Sequence, residues 1–359
     1  MIVGLLQTSR ADMAHVLALV RAFAEDPAID AVVLRPKSLA RGDSPIMLAR
    51  SMGAHIDQFA RQLAPEVRNG LDYLVLVGDR FETFAAAVAA TFFNIPLVHI
   101  AGGDSTEGAF DDNFRWRISH LSHLHGGALP LHRDRLISAG EDSRCVTVTG
   151  IPSLDLIAQG HVTAPEALTA KYHLKCDEPP LVVIFHPVTR EYEQTERYAN
   201  NLACALLDTH LPMVVFAPNQ DTFNSVIRRR FEALTDRHQV YFFEGFKPPD
   251  YFGLLSIARA LVGNSSSGVL EAASFKLPVV NIGSRQAGRL MPPNVVSCGY
   301  ESGGILTALQ LALMPFVRLQ YQHLVNPYGD GHAGERILAA LKDAPSRQAL
   351  LQKRRIRGG

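Results

Sequence analysis

The segment from Val77 to Arg117, VGDRFETFAAAVAATFFNIPLVHIAGGDSTEGAFDDNFRWR, indicates both a fold and a site. It reads as the end of a buried strand, a Gly-Asp-Arg turn, an apolar helix, a second strand and a glycine-rich acidic loop. In a parallel α/β sheet, the carboxyl ends of neighbouring strands meet at one edge. We therefore expect the carboxylates that follow these two strands to lie close together. They are Asp79, Asp104, Glu107, Asp111 and Asp112.

Carboxylates gathered in this way shift one another's pKa values, which suits acid/base chemistry on a bound ligand. Arg80, Arg115 and Arg117 are interspersed with them in the sequence. For any single acidic residue the alternative is a helix N-cap or a solvated turn. For the whole set, a shared site is the better interpretation.

Short apolar strands alternate with helices along the chain, which predicts parallel sheets with right-handed crossovers. The strands fall into two groups, so we predict an α/β fold with two Rossmann-like domains facing a cleft. The domains are expected at residues 1–165 and 166–359, because polar, proline-containing sequence lies near residues 160–180, with the last helix packing back on the first domain. The predicted strands are Ile2–Leu6, Ala31–Arg35, Tyr73–Val77, Pro96–Ile100, Cys145–Thr149, Leu181–Phe185, Met213–Ala217, Val240–Phe243, Ala260–Val262 and Pro278–Ile282. The predicted helices include Asp12–Glu25, Phe81–Phe93, Glu196–Thr209, Thr222–Thr235 and Ser267–Phe275.

Composition excludes several classes of protein. Lys+Arg and Asp+Glu both total 35, so the chain lacks the overall positive charge of a nucleic-acid-binding protein. The apolar run from Phe84 to Phe93 stops at Asn94 and Pro96, well short of a membrane span, and the N-terminal MIVGLL lacks the features of a secretory signal. The cysteines form no Cys-x-x-Cys pair, which predicts reduced thiols, no zinc site and a cytoplasmic protein. They are Cys145, Cys176, Cys204 and Cys298.

A second group of residues is typical of a phosphate site. The sequence Asn264-Ser265-Ser266-Ser267-Gly268 follows a strand and opens a helix. Helix N-termini expose unpaired N–H groups that bind phosphate, although serine and asparagine there are also ordinary N-caps. Glu271, one turn further on, could accept hydrogen bonds from a ribose.

Basic residues follow two other strands of the same half. Arg285 and Arg289 come after the strand that ends at Ile282, and arginine can bind phosphate in bidentate fashion. His186 follows the strand LVVIF and could donate to phosphate or act as a general acid. Surface arginines and a structural histidine are the alternatives. Neither a Walker phosphate loop nor a Gly-x-Gly-x-x-Gly run follows the first strand, which disfavours an NTPase or a dehydrogenase.

In combination, these residues resemble the hydrolysing UDP-N-acetylglucosamine 2-epimerases and their relatives that act on 2,4-diacetamido-6-deoxy sugars. The matching motifs run in the family's order over nearly the whole chain. They are Gly78-Asp79-Arg80, His99-Ile100-x-Gly102-Gly103, Gly108-x-x-Asp111-Asp112-x-x-Arg115, Ser119-His120-Leu121-Ser122-His123, His186-Pro187-Val188-Thr189, Pro218-Asn219, Val262 to Glu271, Asn281 to Arg289, and Asn326-Pro327-Tyr328-Gly329-Asp330-Gly331.

The resemblance implies a GT-B-like pair of Rossmann domains without a metal or another cofactor. It implies a nucleotide-sugar substrate and a homo-oligomer, a dimer or a tetramer. In the family's reaction, an enzyme base removes the proton at C2 of the sugar and UDP leaves C1. Water then adds across the resulting glycal, which releases the free 2-epimeric sugar. The family's reaction supplies pathways that make sugars of the sialic and legionaminic acid type.

Site roles follow from the same resemblance. The acid/base set would be Asp79, Asp104, Asp111 and Asp112, with Arg115 paired to them and His186 at the phosphate or the leaving oxygen. The nucleotide residues would be Arg10, Arg80, Asn219, Ser265, Ser266, Ser267, Gly268, Glu271 and Arg285.

The chain departs from the family pattern in its first half. Asp104 stands where the family usually has Glu, and losing one methylene retracts the carboxylate by roughly 1.5 Å. Ala101 stands where the family often has His or Glu, and the loop from Gln7 to Asp12 and the segment from Lys37 to Ser51 also differ. The expected substrate is UDP-N-acetylglucosamine or a UDP- or GDP-linked 2,4-diacetamido-6-deoxy-glucose relative. From these changes, a nucleotide sugar other than UDP-N-acetylglucosamine is our hypothesis. The alternatives are a non-hydrolysing 2-epimerase, a glycosyltransferase of this fold, or a nucleotide-sugar-binding protein without catalysis.

Overall fold

The computed structural model describes residues 1–37, 39, 45–175, 178–221, 223–237 and 239–353 of the 359-residue chain. Cys176, Thr222 and the basic tail beyond Lys353 lie outside the described residues, as does part of the segment between Lys37 and Ser51.

The described residues contain twelve β-strands. They are β1 (Ile2–Leu6), β2 (Asp30–Leu34), β3 (Leu71–Val77), β4 (Leu97–Ile100), β5 (Leu124–Gly127), β6 (Val146–Val148), β7 (Leu181–Ile184), β8 (Met213–Phe216), β9 (Val240–Phe243), β10 (Ala260–Gly263), β11 (Val279–Ile282) and β12 (Val295–Cys298).

Helices connect the strands. They are α1 (Met13–Ala24), α2 (Pro45–Arg68), α3 (Phe81–Phe92), α4 (Asp111–Leu121), α5 (Pro130–Ser138), α6 (Ser153–Ala158), α7 (Pro165–Tyr172), α8 (Thr195–Leu207), α9 (Asn224–Glu232), α10 (Pro248–Ile257), α11 (Ser266–Leu270), α12 (Ser302–Ala312), α13 (Pro315–Gln320), α14 (Ala333–Lys342) and α15 (Arg347–Leu351). None of the described helices is long and apolar enough to cross a membrane.

The strands form two six-stranded sheets in which all neighbours run parallel. The orders are β2-β1-β3-β4-β5-β6 and β12-β11-β10-β7-β8-β9. Strand order reverses between β1 and β3 in the first sheet and between β7 and β10 in the second. In doubly wound folds, ligands bind beyond the carboxyl ends of the strands at such a reversal. The two parallel sheets and the helices that connect their strands confirm the predicted α/β architecture.

The chain divides into two compact units. Unit 1 comprises residues 1–104, 111–159 and 328–359, and unit 2 comprises residues 105–110 and 160–327. Both faces of the unit 1 sheet are buried, because alternate residues of β3 face opposite sides: Leu74 and Leu76 pack with α2 and α3, while Val75 and Val77 pack with α1 and α14. In unit 2, Val183, Val215 and Val262 pack beneath α8, α9 and α12.

All ten predicted strands are present, with ends that differ by at most two residues. The strands β5 and β12 were not predicted: β5 reads LHGG, which offers little β-propensity, and β12 is a partly exposed edge strand. The helix α2 was not among the predicted helices either, because Pro65 interrupts its pattern. The predicted helix Ser267–Phe275 is a five-residue helix, α11, followed by a 3₁₀ turn at Ala272–Phe275.

Candidate active site

A buried arginine organises the acidic residues of unit 1. Arg115 lies on α4 with 1% of its surface exposed, and its Nη1 donates to the carbonyl oxygen of Ala101 at 2.9 Å. Its Nη2 forms an ion pair with the carboxylate of Asp79. Helical spacing brings Arg115 onto the α4 face that carries Asp111, four residues earlier.

The four predicted acid/base carboxylates all act on this one guanidinium. Burial alone would lower the pKa of Arg115, but Asp79, Asp104, Asp112 and Asp111, in decreasing order of effect, raise it above its ordinary value. Arg115 therefore stays cationic, and the structure brings the predicted set together around it.

Two glycines shape the loops that carry these carboxylates. Gly78 has φ +75° in the turn before Asp79, in open space. Gly103 has φ +74°, and a Cβ there would lie 2.3 Å from the backbone oxygen of His132. Only glycine fits at that position. The neighbouring Asp104 is buried, with its Oδ1 3.4 Å from Nε2 of His132.

His99 is a positioning residue to which the sequence motif assigned no role. This fully buried histidine on β4 donates from Nε2 to the carbonyl oxygen of Gly78 at 2.8 Å. That bond assigns Nδ1 as the acceptor of the Ser119 hydroxyl at 2.9 Å. Burial lowers the pKa of His99 to about 3, so the ring is neutral. It thereby ties the turn before Asp79 to α4.

The carboxylate of Asp12, to which the sequence assigned no role, holds the loop after β1 in place. Asp12 is buried and accepts from the backbone N–H of Thr8 at 2.9 Å, the Thr8 hydroxyl at 2.6 Å and the backbone N–H of Ser9 at 3.0 Å. Burial raises the pKa of Asp12, and the charge of Arg80 opposes that rise. Asp12 thus fixes the loop that carries the exposed Arg10, beside the turn that carries Arg80. The loop after β1 and the turn after β3 both lie at the strand reversal of unit 1.

Asn264 plays the corresponding role in unit 2. Its buried side chain accepts from the His186 N–H at 2.7 Å and donates to the His186 carbonyl oxygen at 2.9 Å. Its backbone oxygen accepts from Nη1 of Arg285 at 3.1 Å and from Nε2 of Gln286 at 2.8 Å. One neutral residue therefore joins the loops after β7, β10 and β11. Its position before three serines was visible in the sequence, but its partners were not.

His186 is held in a defined tautomer. The backbone N–H of Asn219 donates to Nδ1 of His186 at 3.1 Å, so in the neutral ring the proton is on Nε2. The side chain of Asn219 donates to Asp221 at 2.6 Å, which fixes the loop after β8. An Nε2–H group can donate to a phosphate or a leaving oxygen.

The predicted serine cradle contains residues with different structural roles. Ser265 is the N-cap of α11, and its Oγ accepts from the backbone N–H of Ser267 at 3.3 Å. The Ser267 hydroxyl lies 2.6 Å from the Tyr251 hydroxyl, and a Cβ on Gly268 would lie 2.9 Å from Val279. These contacts give Ser267 and Gly268 packing functions of their own. Glu271 is buried at the end of α11, and Ser266 is partly exposed.

The acidic loop after β4 contributes to both units. Residues 105–110 belong to unit 2, where the Glu107 N–H donates to the Ala287 carbonyl oxygen at 2.9 Å and the Phe110 N–H donates to Thr189 Oγ1 at 3.0 Å. The backbone of Glu107 is therefore bonded within unit 2, although the sequence grouped Glu107 with the carboxylates of unit 1. The described residues contain no group of three His, Cys, Asp or Glu side chains placed to hold a metal ion.

Two doubly wound α/β units, each with polar groups at the carboxyl ends of its strands, place the chain in the class of GT-B-like proteins. The family model described as UDP-N-acetylglucosamine 2-epimerase matches residues 17–342, and the chain belongs to that family. The family predicted from the motifs, and with it the class of enzyme, is thereby confirmed.

Relatives of known sequence refine this placement. The chain is 34% identical over 306 residues to UDP-N,N'-diacetylbacillosamine 2-epimerase (hydrolyzing) of Legionella pneumophila, covering 85% of this chain and 79% of that protein. It is 31% identical over 265 residues to GDP/UDP-N,N'-diacetylbacillosamine 2-epimerase (hydrolyzing) of Campylobacter jejuni, covering 72% and 67%.

Solved structures share the fold. The UDP-GlcNAc 2-epimerase from Neisseria meningitidis, solved with UDP-GlcNAc bound, superposes with a TM-score of 0.80 at 19% identity, covering 96% of this chain and 100% of that one. The UDP-GlcNAc 2-epimerase of Methanocaldococcus jannaschii gives a TM-score of 0.77 at 15% identity, covering 96% and 100%.

Proposed function

We propose that this chain is a hydrolysing 2-epimerase of a UDP-linked 2,4-diacetamido-6-deoxy sugar of the diacetylbacillosamine type. It would release UDP and the free 2-epimeric sugar. The observation that carries the proposal is the cluster of Asp79, Asp104, Asp111 and Asp112 around the buried Arg115. Proton abstraction from carbon and reprotonation both need carboxyl groups in controlled protonation states, and a fixed cation among them provides that control.

The proposed reaction has two steps. In the first, a carboxylate of the Arg115 cluster takes the proton from C2, the electron pair forms the C1–C2 double bond, and the bond from C1 to the diphosphate oxygen breaks. In the second, water adds across the double bond: its oxygen bonds to C1, and C2 receives a proton on the opposite face. The products are UDP and the free epimeric sugar.

In unit 2, departure of the diphosphate needs donors on its oxygens. The Nε2–H of His186 and the guanidinium of Arg285 are the donors that we assign, with Arg10 and Arg80 of unit 1 as further cations. Asn264 supports this assignment because it bonds to both the His186 and the Arg285 loops. Ser265 and Ser266 would add donors to the phosphates, Glu271 would bind the ribose, and Asn219 would lie near the nucleotide.

The sugar assignment rests on relatives and on one residue. Two relatives at 31–34% identity are named for diacetylbacillosamine substrates. In this chain, the shorter Asp104 stands in the acidic loop, buried beside His132. A differently substituted sugar is a direct explanation for a retracted carboxylate. From the family resemblance, we also propose that the protein is a cytoplasmic homo-oligomer, a dimer or a tetramer. It would act in a legionaminic-acid-type pathway. Light scattering would measure the mass of the oligomer.

Proton NMR in heavy water tests the reaction. Incubation with UDP-diacetylbacillosamine is expected to release UDP and a free sugar with deuterium at C2, faster than with UDP-GlcNAc. Asp79→Asn and Asp104→Asn should each slow turnover by about 100-fold or more. Asp134→Asn, an exposed position on α5, is the matched control and should leave the rate unchanged.

The same spectra separate the alternatives. An epimeric nucleotide sugar without free sugar would indicate a non-hydrolysing epimerase. Binding of both nucleotide sugars without any turnover would indicate a binding protein. Equal or faster turnover of UDP-GlcNAc would contradict the sugar assignment alone.

A further inference from the structure

Glu191 lies in the loop after β7, five residues beyond His186, and belongs to none of the motifs above. Its carboxylate bonds to hydroxyl groups on two other elements of unit 2. Tyr198 on α8 donates to Oε2 at 2.7 Å, and Ser284, directly after β11, donates to Oε1. We propose that Glu191 is a positioning residue that orients Arg285 toward the diphosphate. This inference rests on the proposed function of Arg285.

The contact with Ser284 is part of a rigid cradle. The N–H of Ser284 donates to the Tyr300 hydroxyl at 3.0 Å, and the rings of Tyr198 and Tyr300 stack at 3.5 Å between centroids. Gly283 has φ +74°, and a Cβ there would lie 2.0 Å from the Tyr300 ring. The backbone before Arg285 is therefore packed against the Tyr300 ring and bonded to the Tyr300 hydroxyl, while the Ser284 side chain donates to Glu191.

Arg285 is fixed from two directions as a result. The Nη1 of Arg285 donates to the backbone oxygen of Asn264. Glu191 accepts a hydrogen bond from Ser284, the residue directly before Arg285. Misplacing a positioned group by about 1 Å can slow a reaction roughly 100-fold. We therefore expect a small movement of Ser284 to displace Arg285 and weaken its interaction with the diphosphate.

Burial and the contact with Glu191 keep the Tyr198 hydroxyl protonated. Burial, together with the hydrogen bond to Glu191, raises the pKa of Tyr198 to about 12, so its hydroxyl remains a donor throughout the working pH range. Replacing the carboxylate removes the acceptor shared by Tyr198 and Ser284, but leaves every proposed ligand-contacting residue in place.

Calorimetry with UDP, inorganic pyrophosphate and uridine tests the proposal. Glu191→Ala should weaken UDP and pyrophosphate binding about tenfold and leave uridine within about twofold, because only the phosphates meet Arg285. Glu191→Gln should fall between Glu191→Ala and wild type, since an amide retains one acceptor oxygen. Glu193→Ala, two residues away and exposed, is the matched control and should bind all three as wild type.

A double-mutant cycle with Arg285→Met gives the decisive readout. If Glu191 acts through Arg285, adding Glu191→Ala to Arg285→Met should weaken UDP binding less than twofold further. Additive losses, or equal losses for UDP and uridine, would overturn the inference and leave the proposed function intact. Should Glu191→Ala fail to fold, Ser284→Ala breaks the same contact and takes its place in the cycle. Wild-type protein that binds neither UDP nor pyrophosphate would overturn both proposals.

Discussion

Units 1 and 2 are both six-stranded parallel doubly wound folds, but different kinds of residue organise the carboxyl ends of their strands. In unit 1, the buried Arg115 forms an ion pair with Asp79 and interacts electrostatically with Asp104, Asp111 and Asp112. In unit 2, the neutral side chain and the backbone oxygen of Asn264 join the loops that carry His186 and Arg285. A charged cluster holds carboxyl groups near one another for proton transfer. We call the Asn264 contacts a neutral frame, because an uncharged residue holds the loops that carry the proposed phosphate donors. The difference fits the proposed roles of unit 1 in acid/base chemistry and of unit 2 in nucleotide binding.

The comparison predicts that unit 1 is the more vulnerable to loss of a charge. Arg115→Met leaves Asp79 and its neighbours without their shared cation, so we expect the free energy of unfolding to fall by about 3–5 kcal/mol and turnover to disappear. The chain's single tryptophan, Trp116 on α4, reports unit 1 by fluorescence during urea unfolding. Arg117→Met, exposed on the same helix, should change stability by less than about 0.5 kcal/mol. Equal effects of the two substitutions would contradict the central role of Arg115.

Backbone geometry in unit 1 can be tested with two glycines of nearly equal φ. Gly78→Ala introduces only backbone strain and should cost about 1 kcal/mol. Gly103→Ala adds a collision with the His132 backbone and should cost about 3 kcal/mol and abolish turnover, since the loop must move Asp104. Trp116 fluorescence in urea measures both. Similar losses would mean that the acidic loop yields easily.

Acid should weaken unit 1 through His99. Its pKa is about 3 in the folded protein and 6.5 for the unperturbed group, so the unfolded chain binds a proton first as pH falls. The stabilisation is complete above pH 6.5 and is lost toward pH 3, by about 1.4 kcal/mol per pH unit. Of the difference between urea unfolding at pH 7 and at about pH 5, followed by Trp116, His99 should contribute roughly 2 kcal/mol in wild type.

His99→Gln removes that titration while keeping a donor and an acceptor, so the difference between the two pH values should shrink. His332→Gln, at an exposed histidine, should behave as wild type. An unchanged pH dependence in His99→Gln would show that other groups govern acid unfolding.

The smallest effect is expected in unit 2. Ser265→Ala removes the N-cap of a short helix and should cost about 0.5–1 kcal/mol, because backbone bonds hold the rest of the loop. UDP binding, measured by calorimetry, should weaken roughly fivefold if the hydroxyl also meets phosphate. Ser256→Ala, which loses one hydrogen bond on α10, should leave UDP affinity unchanged. A collapse of unit 2 in Ser265→Ala would refute the neutral-frame interpretation.

Periodicity and strand-end polarity were enough to predict most strands and to bring Asp79, Asp104, Asp111 and Asp112 into one set. They could not reveal which groups hold that set in place. The roles of His99 and Asp12 depend on burial and on bonds to particular carbonyl and N–H groups, which no local pattern encodes. Likewise, the contact between Glu191 and Ser284 joins residues 93 positions apart. Glu107 was grouped by its neighbours in sequence, whereas its backbone bonds to Ala287.

The discontinuity of unit 1 has a consequence for biosynthesis. Helix α14 packs on α1, and its first N–H groups, at Ala333 and Gly334, donate to the carboxylate of Asp155 at 2.9 and 2.7 Å. Residues 160–327 of unit 2 leave the ribosome after α1 and Asp155 but before Ala333 and Gly334. The amino-terminal sheet must therefore wait, with one face lacking α14, while nearly half the chain is translated. A chaperone that shields nascent apolar surface would find its substrate there, in the half that begins folding first and finishes last.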